Sequence, residues 1–410
     1  MEARDVLSFS CNGRAYRVPS KPTIALCVDG SGPDYLTDAL GRGLMPRLQT
    51  ALRRGGRVLA ARAQMPTLTN VNNASIVTGV SASYHGISGN HYLTPSGDEA
   101  QLTHADALRA KTILAAAQDA GVAVLAVTAK DKLRGLLGAG GVPAISAERA
   151  HELSLPGCDG QTGCELVGRR NPGIYDPALS AYTIDLSLAA ARRLGARLVY
   201  CSLTDYVQHA CAPGQPMADA YYRELDERLG RMLSQGWRIG LVADHGMNAK
   251  ATVGGEPNVV YLADHLAEAG VRGARVLLPI TDPYVRHHGA LGSAAFVYVE
   301  SAEAAAARAC LAGLPGVEAV LDRAAAAAAF ELPVDRIGEL MVCADATTVL
   351  GKTAADHDLS SLDGPLRSHG GLHEAAVPMV VCQSTTARDD DGRLRNGDLF
   401  HVLLNAGEDA

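Results

Sequence analysis

Thr23-Ile24-Ala25-Leu26-Cys27-Val28-Asp29-Gly30 is the stretch that decides the fold. An uncharged aliphatic run that ends on a carboxylate and a glycine reads as a strand buried on both faces, with its carboxyl end open to a ligand. The same pattern recurs along the chain. Val122–Val127 runs into Thr128–Lys132, Leu198–Ser202 into Thr204-Asp205, and Ile239–Val242 into Asp244-His245, while Val377–Val381 forms a fifth apolar run. Between these runs lie stretches with apolar residues three and four apart, which predict helices over Pro33–Arg42, Met45–Arg54, Ala105–Ala120, Pro177–Leu194, Ala218–Gln235 and Tyr261–Ala269. Strands that alternate with helices build a doubly wound, mostly parallel α/β sheet. Its ligands bind at the carboxyl ends of the strands, so Asp29, Thr128–Lys132, Thr204-Asp205 and Asp244-His245 are expected along one edge.

Beyond Lys250 the pattern changes. Predicted strands at Ala295–Val299, Val317–Leu321 and Leu340–Cys343 alternate with predicted helices at Ala302–Leu311 and in the six-alanine run Ala324–Ala329, which read as a compact α+β unit. The chain therefore divides into a core at residues 1–253, an inserted smaller α+β cap at 254–350, and the rest of the core at 351–410. The alanine run, a strong helix former with little to pack, is expected as a surface helix.

Composition narrows the function. The 410 residues are 47% hydrophobic and 20% charged, and no apolar run approaches the roughly 20 residues that span a bilayer. A net charge of −7 lacks the basic excess that a phosphate backbone demands, so neither membrane nor nucleic acid is an expected partner. The nine cysteines are odd in number and scattered, and the close pair Cys158 and Cys164 matches no redox or zinc spacing. Met1–Ser20 carries no secretory pattern, so a cytoplasmic, thiol-reduced enzyme is the expectation.

The chemistry gathers in few segments. Asp205 and His209 are four apart after a buried strand, so one helical turn places both on one face. Asp244-His245 follows another strand, and His369 sits in the Gly-rich Ser368-His369-Gly370-Gly371. With Asp29 these make three carboxylates and three imidazoles, a mixed set that suits Zn²⁺, with Mn²⁺ or Fe²⁺ as competitors. Two such ions could clamp both ends of a displacement at phosphorus. Pro66-Thr67-Leu68-Thr69-Asn70 places two hydroxyls ahead of the helix-like Ala74–Thr78, where anions are attracted, and leaves Thr67 and Thr69 as rival nucleophiles.

Taken in order, these segments, together with Thr78-Gly79 and His85-Gly86-Ile87-Ser88-Gly89-Asn90, resemble the alkaline phosphatase superfamily over residues 22–385. The resemblance is strongest to its phosphonoacetate hydrolase branch, and the nucleotide pyrophosphatases share the skeleton. It implies one zinc on Asp205, His209 and His369, and a second on Asp29, Asp244, His245 and Thr69, which becomes the nucleophile. His209 and His369 would also border the substrate, and Asn90 would donate to a phosphoryl oxygen.

Lys130 and Lys132 alternate by two after a strand, so an extended continuation would send both ammonium groups to one side, toward a small anionic substrate. The segment resembles the phosphonoacetate hydrolase motif in which paired lysines bind substrate. In Thr281–Gly289, Arg286 has the fork that fits a carboxylate. The implied activity is cleavage of the carbon–phosphorus bond of phosphonoacetate through a phosphothreonine, with a small phosphonate as partner and a homodimer as assembly. The alternative is a phosphodiesterase or nucleotide pyrophosphatase with the same metals. A catalytically inactive metal-binding relative would be expected to lack a ligand or the nucleophile, and none is missing.

Overall fold

The computed structural model describes residues 7–280, 290–360, 362, 364–387 and 392–405. Its centre is a seven-stranded sheet in the order Arg57–Arg62, Ala376–Val381, Arg238–Val242, Thr23–Cys27, Leu198–Ser202, Val124–Thr128, Ala144–Ser146. The last five strands of that order pair in parallel. Ala376–Val381 runs antiparallel to both of its neighbours, so it alone is reversed. This reversal brings the segment before that strand, rather than after it, to the edge where the parallel strands end, and that segment carries His369.

Burial on both faces follows from alternation. Along the first strand Ile24 and Leu26 join one apolar cluster with Leu125, Val199 and Leu241, whereas Ala25 and Cys27 join the other with Ala126, Tyr200 and Val242. The first face is covered by helices Pro33–Gly41, Pro46–Arg53, Leu179–Leu194 and Pro216–Ser234, the other by Thr69–Thr78, Ile113–Asp119 and Leu399–Asn405. Three of these helices begin with proline, whose missing N–H has no partner to lose in a first turn.

Residues 275–344 build a second sheet, of four antiparallel strands in the order Arg275–Leu277, Ala294–Tyr298, Leu340–Ala344, Val317–Asp322. Helices Ala304–Ala312 and Arg323–Phe330 accompany it, the second capped by Asp322, whose carboxylate accepts from Ala325 N at 2.8 Å. Ala326 is the buried member of the alanine run, so the surface-helix expectation holds.

Several boundaries differ from the expected ones for local reasons. The helix expected over Ala105–Ala120 is broken: a short 3-10 turn covers Ala105–Ala107, and the α-helix starts at Ile113, where Thr112 accepts from Ala115 N at 3.1 Å as its cap. The segment after Val124–Thr128 does not stay extended but closes into a 3-10 turn over Asp131–Leu133. The hairpin Ser8–Cys11/Arg14–Arg17 turns on Asn12-Gly13, both at positive φ. The nine cysteines are free, and no helix among the described residues is long and apolar enough to cross a membrane.

Candidate metal centre

The parallel strands deliver their end residues to one place. Asp29 follows Thr23–Cys27, Asp205 precedes the helical turn Tyr206–Ala210, and Asp244-His245 follow Arg238–Val242. Gly30 is at φ 68°, and a Cβ there would lie 3.2 Å from the Cβ atoms of both Asp205 and Gln208, so only glycine lets these two strand ends close on each other.

Asp205 is the most connected carboxylate. Its Oδ2 lies 3.0 Å from His209 Nε2 and 3.9 Å from His369 Nε2, and its Oδ1 accepts from Lys130 Nζ at 2.7 Å. On the other side His245 Nε2 lies 3.3 Å from Asp29 Oδ1, 3.6 Å from Asp244 Oδ2 and 3.3 Å from Thr69 Oγ1. Potential ligand atoms lie within 4.8 Å of one another in two groups, Asp205/His209/His369 and Asp29/Asp205/His245. Asp205 belongs to both, a sharing that the one-dimensional spacing did not suggest. Asp244 leans on the second group with one oxygen, while its Oδ1 accepts from Gly30 N at 3.2 Å and His245 N at 3.0 Å.

Each imidazole is oriented from behind. His209 Nδ1 donates to Arg367 O at 2.7 Å, His245 Nδ1 to Gly246 O at 2.9 Å, and His369 Nδ1 to Thr67 O at 2.8 Å. With Nδ1 protonated, all three Nε2 lone pairs face inward, which is the tautomer a metal ligand requires. The rings of His245 and His369 stack at 3.6 Å and 9°.

The electrostatics ask for cations. Asp29 is fully buried, and neither of its carboxylate oxygens has a hydrogen-bond partner among the described residues. Burial first, then the charges of Asp205 and Asp244, push its pKa well above the usual carboxylate range. Burial likewise pushes Asp244 up to about 7, and burial followed by the neighbouring imidazoles drives His369 down. Three buried carboxylates converge with three imidazoles whose Nε2 atoms point inward, so the donor set fits metal ions in chemistry and orientation.

The two threonines separate. Thr69 opens the fully buried helix Thr69–Thr78 and faces His245, whereas Thr67 Oγ1 donates to Gly371 O at 2.8 Å and accepts from Gly370 N at 3.1 Å. Thr67 thus holds the loop that carries His369. Asn73, one turn into the helix, donates to Thr69 O at 2.9 Å and accepts from Tyr200 OH at 2.7 Å, a supporting role that sequence spacing did not signal.

Of the residues read as substrate contacts, Lys130 is buried at the site against Asp205. Lys132 sits within the 3-10 turn and is half-buried, so the argument from an extended continuation does not hold. Asn90 is buried, with its Nδ2 donating to Ile280 O at 3.3 Å and its backbone N to Pro279 O at 2.9 Å. Arg286 lies outside the described residues.

This arrangement defines a hydrolase of the alkaline phosphatase superfamily, in its nucleotide pyrophosphatase-like branch. A family model described as type I phosphodiesterase / nucleotide pyrophosphatase matches residues 23–372, and the chain belongs to that family. It is similar to phosphonoacetate hydrolase from Sinorhizobium meliloti 1021, at 41% identity over 98% of this chain and 100% of the other. The TM-score is 0.93 for that protein's complex with phosphonoformate and 0.92 for its complex with phosphonoacetate. The fold is also that of murine ectonucleotide pyrophosphatase / phosphodiesterase 5 in complex with AMP, at 17% identity, TM-score 0.64, over 95% of this chain and 96% of the other.

Proposed function

We propose that the chain hydrolyses the carbon–phosphorus bond of phosphonoacetate to acetate and phosphate through a phosphothreonine. The observation that carries this reading is the full-length similarity, at 41% identity, to an enzyme of that name seen with two small phosphonates. Thr69, Asp29, Asp205, His209, Asp244, His245 and His369 are the proposed catalytic and metal-holding residues, with two Zn²⁺ as the proposed ions. When bound, the ions supply positive charge to the nucleophile and to the departing group.

In the first step Thr69 loses its hydroxyl proton and its Oγ attacks phosphorus, the C–P bond breaks with its electron pair on carbon, and the acetate carbanion takes a proton from solvent, so one proton is released and one consumed. Lys130, buried beside Asp205, brings positive charge to the end where that carbanion forms, and Lys132 and Asn90 are proposed to help hold the substrate. In the second step water attacks phosphorus, the bond to Thr69 Oγ breaks, and the hydroxyl is restored. Two displacements replace one difficult hydrolysis.

A phosphodiesterase or nucleotide pyrophosphatase is the second reading, favoured by the family match and by an aromatic pair next to Asp205: Tyr206 and Tyr175 have ring centroids 5.9 Å apart. Phosphate release from phosphonoacetate, measured beside aryl phosphodiester and dinucleotide cleavage, separates the two. Preference for the diesters would overturn the phosphonate reading. A cytoplasmic location and a homodimer complete the proposal, checked by fractionation and by solution mass.

A further inference from the structure

We infer that Lys250 and Glu374, an ion pair outside the catalytic set, fix the spacing of the two loops that carry His245 and His369. Both side chains are completely buried, with Lys250 Nζ 2.8 Å from Glu374 Oε1. Lys250 Nζ also donates to Ala346 O at 3.0 Å, which ties in the segment that follows the four-stranded sheet. Glu374 accepts from four directions. Its Oε1 takes Asn248 Nδ2 at 2.6 Å as well as Lys250, its Oε2 takes Gly371 N at 3.0 Å, and its carbonyl takes Gly246 N at 2.8 Å.

Gly246 adjoins His245, and Gly371 lies just beyond His369, so a single residue grips both loops. The loops are also joined by a short ladder, Asn248 opposite Ser368 and Ala249 opposite Arg367. The two loops also meet through the stacked rings of His245 and His369, 3.6 Å apart.

Stability alone gives little reason to bury the pair, because apolar residues of similar volume commonly replace a buried ion pair at no loss or at a gain. What an apolar pair could not supply is the acceptor pattern. Outer groups that orient ligands tune metal affinity by roughly 10–100-fold. Lys250 and Glu374 are therefore positioning residues, acting through the backbone of the two loops.

The inference rests on the metal-binding reading above. The test compares the wild-type protein with the neutral double variant Lys250→Met/Glu374→Gln, each loaded with Co²⁺. The visible absorption bands report ligand geometry, and competition with a chelator reports affinity. The expected result is shifted bands and a roughly 10–100-fold weaker affinity in the variant. Unchanged bands and affinity overturn the inference, whatever happens to the melting temperature. Should the double variant fail to fold, Glu374→Asp, which keeps the charge but shortens the reach, decides by the same two readouts. A wild-type protein that binds no Co²⁺ overturns the metal reading and this inference together, whereas binding by both proteins with identical spectra and affinities overturns this inference alone.

Discussion

Lys130 Nζ sits 2.7 Å from Asp205 Oδ1, with both side chains almost wholly buried. The ammonium is placed directly against the carboxylate shared by both ligand groups, so it serves as a local counter-charge as well as a proposed substrate contact. Removing one partner of a buried pair typically costs about 3–5 kcal/mol. Lys130→Met should therefore destabilise the metal-free protein by about that amount and the metal-loaded protein by much less, since bound cations then balance Asp205. Thermal unfolding with and without metal measures the difference; equal losses would remove the counter-charge argument.

Substrate recognition gives a second expectation. Lys130→Ala combined with Lys132→Ala should depress kcat/KM for phosphonoacetate far more than for an aryl phosphate ester that carries no carboxylate. Parallel losses on both substrates would count against reading of the carboxylate by these lysines.

The two threonines should fail in different ways. Thr69→Ala is expected to abolish phosphate release while folding and metal content stay near wild type. Thr67→Ala removes two hydrogen bonds to the His369 loop and is expected to lower stability by about 1–3 kcal/mol with partial activity retained. Turnover in Thr69→Ala at the wild-type rate would remove the nucleophile assignment.

Metal removal should be visible in stability as well as in rate. Ligands that bind the native state alone add about 2.7 kcal/mol at a hundredfold excess over Kd. Chelation should lower Tm and abolish hydrolysis, and added Zn²⁺ should restore both. A chelated protein with unchanged Tm and activity would contradict the metal assignment.

Away from the centre, His85 supplies a pH test. Its Nδ1 accepts from Ile87 N at 3.1 Å, its Nε2 donates to Ser75 Oγ at 2.9 Å, and burial drives its pKa down to about 3. Between an unfolded value near 6.5 and that folded value, the unfolded chain binds a proton that the native state refuses. Stability must then fall as pH falls through that window, by up to about 1.4 kcal/mol per pH unit from this group. Unfolding of His85→Gln as a function of pH should show a shallower slope; an identical slope would exclude His85 as the source.

Much of this was legible in one dimension. Fully buried strands write themselves as unbroken aliphatic runs, so Thr23–Cys27 and Leu198–Ser202 were found nearly to the residue. Arg57–Arg62 was not, because it lies at the sheet edge with Arg57, Val58, Ala60 and Arg62 exposed and only Leu59 and Ala61 buried, and Ala144–Ser146 is too short to leave a pattern. The ligand candidates announced themselves as polar residues just past those runs. Their partners did not: Asn73, Thr67, Arg367 and Glu374 act through backbone carbonyls, amides and distant loops, which no local spacing encodes. Lys250 marked only a change of character in the sequence, and its pairing with Glu374 appears once the chain has returned.

The reversed strand Ala376–Val381 hydrogen-bonds directly to Arg238–Val242, so everything threaded between them is, topologically, the loop of one enormous hairpin. Its two roots are stitched at Val242 and Met379, and the sheet registers nothing of what hangs between. A laboratory wishing to change what the enzyme accepts could therefore exchange only what lies between Lys250 and Arg367 for a cousin's, leaving the frame, its registry and the roots that carry Asp244, His245 and His369 untouched.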